Sequence, residues 1–214
     1  MTTEFQKWYE EKQVERTVKA LKKNNFDAIF VPTGAAALEE LFKMIPGGAK
    51  VGVGGSVTLS QIGFFDEAKK RSVTVMNPPT PGMSPDEAIR LRREALLSDV
   101  FITSSNAVTE DGKLYNIDGT GNRVAAMMFG PKKVVLVCGV NKLVKDLDQA
   151  HERVKEWTAP MNVKRLSLKT PCAETGECAD CASPQRICNV YVAMVKKPSR
   201  TDITVMLVGE HLGL

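Results

Sequence analysis

The sequence predicts an α/β fold in which a mostly parallel sheet is covered by helices on both faces. Short apolar segments alternate with longer amphipathic segments along most of the chain. This alternation is the pattern of successive βαβ units, whose crossover helices cover a parallel sheet. Neither a repeat nor a linker divides the sequence, so residues 1–214 are expected to form a single α/β domain.

The first half of the chain contains four predicted helices. An amphipathic helix over residues 4–24 places apolar side chains at helical spacing: Phe5, Trp8, Tyr9, Val14, Val18 and Leu21. The elements that follow are the strand DAIFVP, a helix capped by Thr33, a strand over 49–53, a helix over 58–71, the strand SVTVM, a helix over 84–97 and the strand DVFITS. The helix over 84–97 has the clearest signal, because Ser84 and Glu87 form a capping box and Pro85 fits the first helical position.

The second half begins with a predicted β-hairpin. The run NAVTEDGKLYNID reads as two alternating strands around a turn at residues 110–112. The predicted elements that follow are a glycine loop entering the helix GTGNRVAAMMF, the strand KKVVLVC, the helix DLDQAHERVKEWTAP, a cysteine loop over 170–189, and the strands NVYVAMVKK and DITVMLVGE. The cysteine loop is therefore an insertion near the C-terminal end of the α/β domain.

Composition excludes several classes of protein. The 29 Lys and Arg residues exceed the 25 Asp and Glu residues by a net charge of only +4, and 6% of the residues are aromatic. A nucleic-acid-binding surface would need clustered basic residues with interleaved aromatics, so no nucleic-acid partner is expected. The apolar runs are shorter than the roughly 20 residues of a membrane helix, and residues 1–13 lack the apolar core of a signal peptide. We expect a cytoplasmic protein with no membrane span.

Four of the five cysteines lie in one segment, PCAETGECADCASPQRICN. Cys172, Cys178, Cys181 and Cys188 follow the spacing C-x5-C-x2-C-x6-C, which can bring several thiolates to one point around a soft metal. Gly176 permits a positive φ there, while Pro171 and Pro184 disfavour helix at the flanks. The fifth cysteine, Cys138, ends the apolar run KKVVLVC and is expected to be a buried small hydrophobe.

Three interpretations of these four cysteines are open. An iron–sulfur cluster, most simply [4Fe–4S], is favoured over structural zinc because zinc ribbons carry two C-x2-C pairs and this segment carries one. Zinc remains the alternative cofactor, since four thiolates bind it well. Two structural disulfides are disfavoured, because such bonds are rare in a reducing compartment.

Two loops are candidate binding sites for an anion. Ligands of open α/β sheets bind where strands end and helices begin. Gly54, Gly55 and Ser56 follow a predicted strand and offer backbone N–H groups to a phosphate or carboxylate, although the same glycines suit a tight strand-to-helix turn. This loop is neither a dinucleotide fingerprint nor a P-loop.

The second loop brings Asn106, Asn122 and Arg123 near a predicted strand end and helix start. The planar fork of Arg123 suits a carboxylate or phosphate, and the alternative is an internal ion pair with Asp118 or Glu110. Glu110 lies in the polar hairpin after a strand and is the one acid we nominate as a catalytic nucleophile or base.

Three runs of the sequence resemble the LUD-domain family of lactate-utilisation proteins, the relatives of LutC and YkgG. They are GVGGSVTLSQIG, the segment from SDVFITSSNAVTEDGKLYNIDGTGNRVAA to GVNK, and the cysteine segment. The resemblance implies a fold like that of the NagB/RpiA/CoA-transferase group. It also implies a link to a three-protein iron–sulfur system that oxidises L-lactate to pyruvate, although short LutC-like members can lack the four-cysteine loop.

These observations lead to two functional hypotheses. The first is an iron–sulfur accessory or electron-transfer protein of lactate or related organic-acid utilisation, with a small organic acid or phosphate in the pocket and other iron–sulfur subunits as partners. The second is a transferase or isomerase on a CoA-transferase-like fold, with a structural zinc site, Glu110 as nucleophile or base and Arg123 binding the substrate anion. A regulatory ligand-binding subunit without catalysis is a third possibility.

Overall fold

A computed structural model describes residues 4–76 and 82–214 of the protein. The strands are β1 Asp27–Val31, β2 Lys50–Val53, β3 Thr74–Val75, β4 Val100–Thr103, β5 Ala107–Thr109, β6 Leu114–Asp118, β7 Lys133–Gly139, β8 Leu143–Val144, β9 Val190–Met194 and β10 Asp202–Val208. The α-helices are α1 Glu4–Lys23, α2 Gly34–Lys43, α3 Val57–Gln61, α4 Phe64–Lys70, α5 Pro85–Glu94, α6 Asn122–Met128, α7 Leu147–Glu152, α8 Ala159–Arg165 and α9 Pro171–Thr175. Short 3₁₀ segments cover Ala95–Leu97 and Val140–Lys142, and a π-helical segment covers Arg153–Thr158.

The strands form two sheets. The larger has the order β1-β10-β7-β4-β2-β3, and its strands pair in parallel. The smaller has the order β8-β5-β6-β9, in which the β5–β6 hairpin and the β6–β9 pair are antiparallel and β5–β8 is parallel. The predicted α/β class with a mostly parallel sheet and a hairpin is confirmed, but the sequence analysis did not place β9 in a separate sheet.

The larger sheet is buried on both faces, as predicted for its apolar strands. In β7, Val134, Leu136 and Cys138 pack into one hydrophobic cluster with side chains of α1 and α6. The alternate residues Val135 and Val137 pack into a second cluster with side chains of α2, α3 and α4. This period of two is the geometry of a strand between two layers of helices.

Two predicted helices and one flank predicted to be non-helical differ from the structure. Residues 58–71 form two helices, α3 and α4, because the chain turns at Gly63, whose φ of +77° is the left-handed conformation that glycine favours. The segment predicted as one helix after Asp146 passes from α7 through the π-helical segment into α8. Pro171 does not exclude helix, since it occupies the first turn of α9, where its missing N–H costs nothing.

The N-terminal helix packs through its second half. Val14 and Leu21 are 5% and 0% exposed, whereas Phe5, Trp8 and Tyr9 are 80%, 58% and 54% exposed. The first two turns of α1 therefore leave their apolar side chains exposed, and only the second half of the predicted amphipathic helix buries its apolar face. No helix in the described part of the chain has both the length and the apolar character needed to cross a bilayer.

The carboxyl ends of four adjacent strands position a common site. The central strands β10, β7, β4 and β2 are parallel neighbours, so the segments that follow them emerge at the same edge of the sheet. Those segments begin at Gly209, Val140, Ser104 and Gly54. Ligands of open α/β sheets bind at this edge.

Candidate functional site

The side chain of Arg123 is enclosed by protein acceptors. A guanidinium has five N–H donors. Nη1 donates to Ser104 O at 3.1 Å and Asn116 Oδ1 at 2.6 Å, Nη2 donates to Asn106 Oδ1 at 3.0 Å and Ile117 O at 2.9 Å, and Nε lies 3.3 Å from Asp118 Oδ2. The five donors are therefore used within the protein. Of the two roles that the sequence left open for Arg123, the structure shows the internal ion pair, with Asp118 and not with Glu110.

Asp118 and the two asparagines are held as firmly as the arginine. The other oxygen of Asp118 accepts the N–H groups of Thr120 at 3.1 Å and Gly121 at 2.7 Å, which fixes the glycine loop at the start of α6. Asn116 is fully buried and donates to Ser105 Oγ at 3.0 Å. Burial lowers the pKa of Arg123 from its ordinary value, and the neighbouring Asp118 carboxylate opposes that shift. These hydrogen bonds around Arg123 and Asp118 hold in place the residues that line one wall of a cavity.

That cavity lies at the carboxyl edge of the larger sheet and has a volume of about 370 Å³. It is lined by segments from both sheets and from α5 and α8: Gly55–Val57, Arg92, Ser104–Asn106, Ile117–Thr120, Asn122, Arg123, Lys142, Thr158, Asn162, Arg165, Leu166, Ile187, Gly213 and Leu214. Its charged side chains are four cations and one carboxylate, namely Arg92, Arg123, Lys142, Arg165 and Asp118. This excess of positive charge favours an anionic ligand.

Lys142 is a buried cation in the cavity lining. Its side chain follows β7, is 4% exposed, and donates from Nζ to Ser104 Oγ at 2.8 Å and Thr58 Oγ1 at 3.3 Å. Among the described residues, no carboxylate lies within ion-pair distance of this ammonium. Burial lowers the pKa of Lys142 to about 8; the Cys138 thiol opposes the shift, and Arg153 and Arg123 add to it.

Arg153 adds a further cation behind the cavity and, within residues 4–76 and 82–214, has no carboxylate partner. Its guanidinium donates to Asn106 O at 2.8 Å, to Thr158 Oγ1 at 2.7 Å and to Asn141 O at 3.1 Å. Burial lowers the pKa of Arg153 as well. In the described part of the chain, Lys142 and Arg153 thus donate to neutral acceptors and pair with no carboxylate, so an anion entering the cavity meets positive charge that these residues do not neutralise.

The glycine loop after β2 contributes to the cavity in part. Gly55 and Ser56 line it, and Ser56 also caps α3 by accepting the N–H of Leu59 at 3.3 Å. Gly54 lies behind the lining, where a Cβ would come within 2.9 Å of Arg123 Cγ and 2.5 Å of Thr103 Oγ1. Glycine at position 54 therefore lets Arg123 approach the backbone. Asn106 and Asn122 also line the cavity.

Glu110 lies outside the lining of this cavity. Its carboxylate pairs with Arg16 Nη2 at 2.8 Å and accepts from Gln13 Nε2 at 3.0 Å. These contacts attach α1 to the β5–β6 hairpin. The structure thus places Glu110 at a helix–hairpin contact. The transferase hypothesis requires the Glu110 carboxylate to lie near Arg123, and the structure does not place it there.

The cysteine loop forms a second, smaller cavity. The side chains of Cys172, Cys178, Cys181 and Cys188 all line it, together with Lys155, Ala159, Val163, Thr170, Ala179, Asp180, Arg186 and Ile187. The enclosed space is about 20 Å³. Arg186 ties the loop together by donating to Cys181 O at 2.6 Å, Cys188 O at 3.1 Å and Asp180 Oδ1 at 2.8 Å. The thiols are free rather than paired as disulfides.

The electrostatics of this cavity fit a site that needs a cation. Burial raises the pKa of the Cys188 thiol; Cys178, Cys172 and Cys181 raise it further, and Arg186 opposes them. Four thiolates so close together repel one another unless a metal neutralises them. Within residues 4–76 and 82–214, however, no group of three or more His, Cys, Asp or Glu side chains is placed so that it could hold a metal ion. The structure thus brings the four sulfurs to one cavity without arranging them as ligands.

The two cavities share a wall. Thr158, Asn162 and Arg165 line the larger cavity, whereas Ala159 and Val163 line the cysteine cavity. Side chains four positions apart share a helix face, so Thr158 and Asn162 lie on one face, and Ala159 and Val163 lie on the face next to it. Ile187, in the cysteine loop itself, lines both cavities. A molecule in the larger cavity would therefore lie directly beside the cysteine site.

Sequence reasoning missed two cations at the cavity, the buried Lys142 and the half-buried Arg153. Lys142 and Arg153 were assigned no role, although Lys142 follows the buried strand β7 in the same way that Ser56 follows β2. That position was the available signal for Lys142. No local signal distinguished Arg153, which lies in a helical segment rich in charged residues.

Fold and site together define an α/β protein with a cationic cavity at the carboxyl edge of a parallel sheet and a four-thiol loop beside it. The model of the LUD-domain family matches residues 14–208, and the chain belongs to that family. The crystal structure of a DUF162 family protein from Deinococcus radiodurans, at 1.70 Å resolution, has the same fold; the TM-score is 0.54, with 12% sequence identity over 94% of this chain and 98% of that one. No curated protein matches the sequence significantly.

The replacement Arg123→Lys tests the guanidinium network. Lysine keeps the charge but has three donors in place of five, so buried acceptors of the hairpin and of the loop after β4 lose their partners. We expect a loss of about 2–4 kcal/mol in the free energy of unfolding, measured by urea denaturation. The control is Arg165→Lys at the exposed rim, where we expect a change within about 0.5 kcal/mol. Equal, small effects of the two replacements would show that the network does not support the fold.

The replacement Lys142→Met tests the cost of the buried ammonium. Because the pKa of Lys142 in the folded protein, about 8, lies below the ordinary pKa of lysine, the charged form is destabilised in the folded protein, fully below pH 8 and progressively less as pH rises toward 10.5. We expect Lys142→Met to stabilise the ligand-free protein by about 2–3 kcal/mol at neutral pH. The gain should fade in urea denaturations above pH 8. A destabilised variant, or a gain that does not change with pH, would contradict this account.

Proposed function

We propose that the protein is an iron–sulfur accessory or electron-transfer component of lactate or related organic-acid utilisation. The observation that carries the proposal is the shared wall between the four-thiol cavity and the cationic cavity. A redox centre and the molecule that exchanges electrons with it must lie close together, and residues of α8 together with Ile187 line both of these cavities. Membership of the LUD-domain family supports the same assignment.

The donor set of the cysteine loop supports a cluster. Cys172, Cys178, Cys181 and Cys188 would bind it through thiolate sulfur, the ligand of [4Fe–4S] centres. When bound, such a cluster accepts and donates single electrons. Lys155 and Arg186 line the same cavity and would offset part of the negative charge of the thiolates. Zinc bound by the same four sulfurs is the alternative and would make the loop structural.

The cationic cavity supports the binding of a small organic acid or phosphate. Its volume of about 370 Å³ lies at the lower end of the range of small-molecule sites. Lys142 supplies a charge that no carboxylate of the described residues pairs with, and the exposed Arg92 and Arg165 also line the cavity. The Arg123 guanidinium contributes through its field, because its donors are already used. Other iron–sulfur subunits would pass electrons to or from the cysteine site.

Metal and sulfide analysis of anaerobically purified protein tests the cluster. We expect iron and sulfide in equal amounts, close to four of each per chain, with the visible absorption and the reduced-state EPR signal of a [4Fe–4S] centre. Cys178→Ser and Cys181→Ser should lower the iron content. The matched control is Cys138→Ala, which removes the cysteine outside the loop and should leave the iron content unchanged. Stoichiometric zinc without iron or sulfide would overturn the redox part of the proposal.

Thermal unfolding in the presence of lactate, pyruvate or inorganic phosphate tests the anion site. A ligand selective for the folded state stabilises it by RT ln(1 + [L]/Kd), about 2.7 kcal/mol at a hundredfold excess over Kd. We expect lactate and phosphate to raise the Tm, less so as pH rises through about 8, because Lys142 then loses its charge. Lys142→Met should abolish the increase.

The control for this experiment is Lys132→Met. Lys132 has a side chain that is 83% exposed, and it pairs with Asp99 far from the cavity lining. Its replacement removes the same charge from the chain while leaving the cavity unchanged, so the anion-induced increase in Tm should persist. Failure of each anion to raise the Tm of the wild-type protein, or equal loss in the two variants, would refute the anion site.

A further inference from the structure

We propose that the Lys142 amine is a nucleophile that forms a reversible imine with a small 2-oxo acid bound in the cationic cavity. This inference rests on the proposed anion site and names its substrate class: a molecule that carries both a carboxylate and an adjacent carbonyl carbon. The supporting geometry is a lysine that reaches the cavity, is otherwise buried, and has only hydroxyl groups as hydrogen-bond partners among the described residues.

The surroundings of Lys142 separate it from a lysine that merely pairs with an acid. A structural buried lysine is ordinarily neutralised by a carboxylate. The groups that face this side chain are instead the hydroxyls of Thr58 and Ser104, the thiol of Cys138 and the guanidinium groups of Arg123 and Arg153. Desolvation and nearby cations are the two conditions that make a lysine amine nucleophilic near neutral pH.

The proposed step balances without an oxidant or a reductant. The lone pair of Nζ attacks the carbonyl carbon, and a C–N bond forms as the carbonyl π bond breaks. One proton moves from the nitrogen to the oxygen, which gives a carbinolamine. A second proton, from the medium, then lets this oxygen leave as water, and a protonated imine remains. The hydroxyl of Ser104, 2.8 Å from Nζ, is placed to relay a proton to the departing oxygen. Addition of water reverses the step.

Borohydride trapping tests the imine directly. Wild-type protein is incubated with pyruvate and reduced with borohydride, and a tryptic digest is analysed by mass spectrometry. Hydride addition converts an imine to a stable secondary amine, so we expect one reduced pyruvate adduct per chain, on the peptide that contains Lys142. At a pyruvate concentration that saturates the site at each pH, the yield should increase as pH rises through about 8, because the attacking amine must be uncharged. Lactate, which has no carbonyl, should compete with pyruvate and form no adduct.

Two variants separate imine formation from anion binding. Lys142→Arg keeps a cation in the cavity but cannot form an imine, so we expect it to lose the adduct and retain an increase in Tm with pyruvate. Lys132→Arg, at the exposed control position, should keep the adduct. Absence of an adduct on Lys142 in wild-type protein that pyruvate does stabilise would refute the imine and leave the anion site intact. Adducts spread evenly over exposed lysines would refute the imine as well. A wild-type protein that none of the anions stabilises would instead refute the proposed anion site on which this inference rests.

Discussion

The hydrogen bonding of the Arg123 guanidinium is the constraint on which the site depends. Its acceptors come from the loop after β4, from β6 and from Asp118 at the entrance to α6. Those segments belong to two different sheets, so a single side chain fixes their relative position. Each hydrogen bond to a charged group contributes about 1.5–3 kcal/mol, and each would leave a buried acceptor unpaired if it were lost. Gly54 completes this arrangement, because a side chain at that position would meet Arg123.

The cavity separates the structural role of one cation from the binding role of another. Arg123 is paired with Asp118, so its positive charge is largely neutralised within the protein. Lys142 has no such partner in the part of the chain that the structure describes, and its burial raises the free energy of the folded state. A group that costs stability in the free protein and gains a partner when a ligand binds is the pattern expected of a functional residue. The same burial that makes Lys142 costly also makes its amine reactive, so the two proposals for this residue have one physical origin.

The sequence predicted features that depend on local chemistry and missed those that depend on distant contacts. Ser84 caps α5 and the β5–β6 hairpin turns at Gly112, as expected, because caps and turns are decided within a few residues. The break between α3 and α4 was missed, since a single glycine inside a helical pattern is weak evidence of a turn. Glu110 was nominated from its place in a polar loop, and its partner Arg16 lies 94 residues away. No local sequence pattern predicts such a contact. No local pattern predicts the burial that distinguishes Lys142 from an exposed lysine either.

The position of the cysteine loop follows from the way its ends are attached. Its first cysteine lies in α9, shortly after α8, and its last is separated by Asn189 alone from β9, which pairs with β6. Asn189 donates to Gly119 O at 3.0 Å, and a Cβ at Gly119 would lie 3.1 Å from Ile187 Cα. The loop of the cationic cavity and the cysteine loop are therefore in backbone contact, and glycine at position 119 permits the close approach. If the cysteine loop widens around a metal centre, the backbone near Ile187 moves, and the wall of the cationic cavity at Gly119 changes with it. A movement of the Gly119 loop would change the wall of the cysteine cavity in the same way.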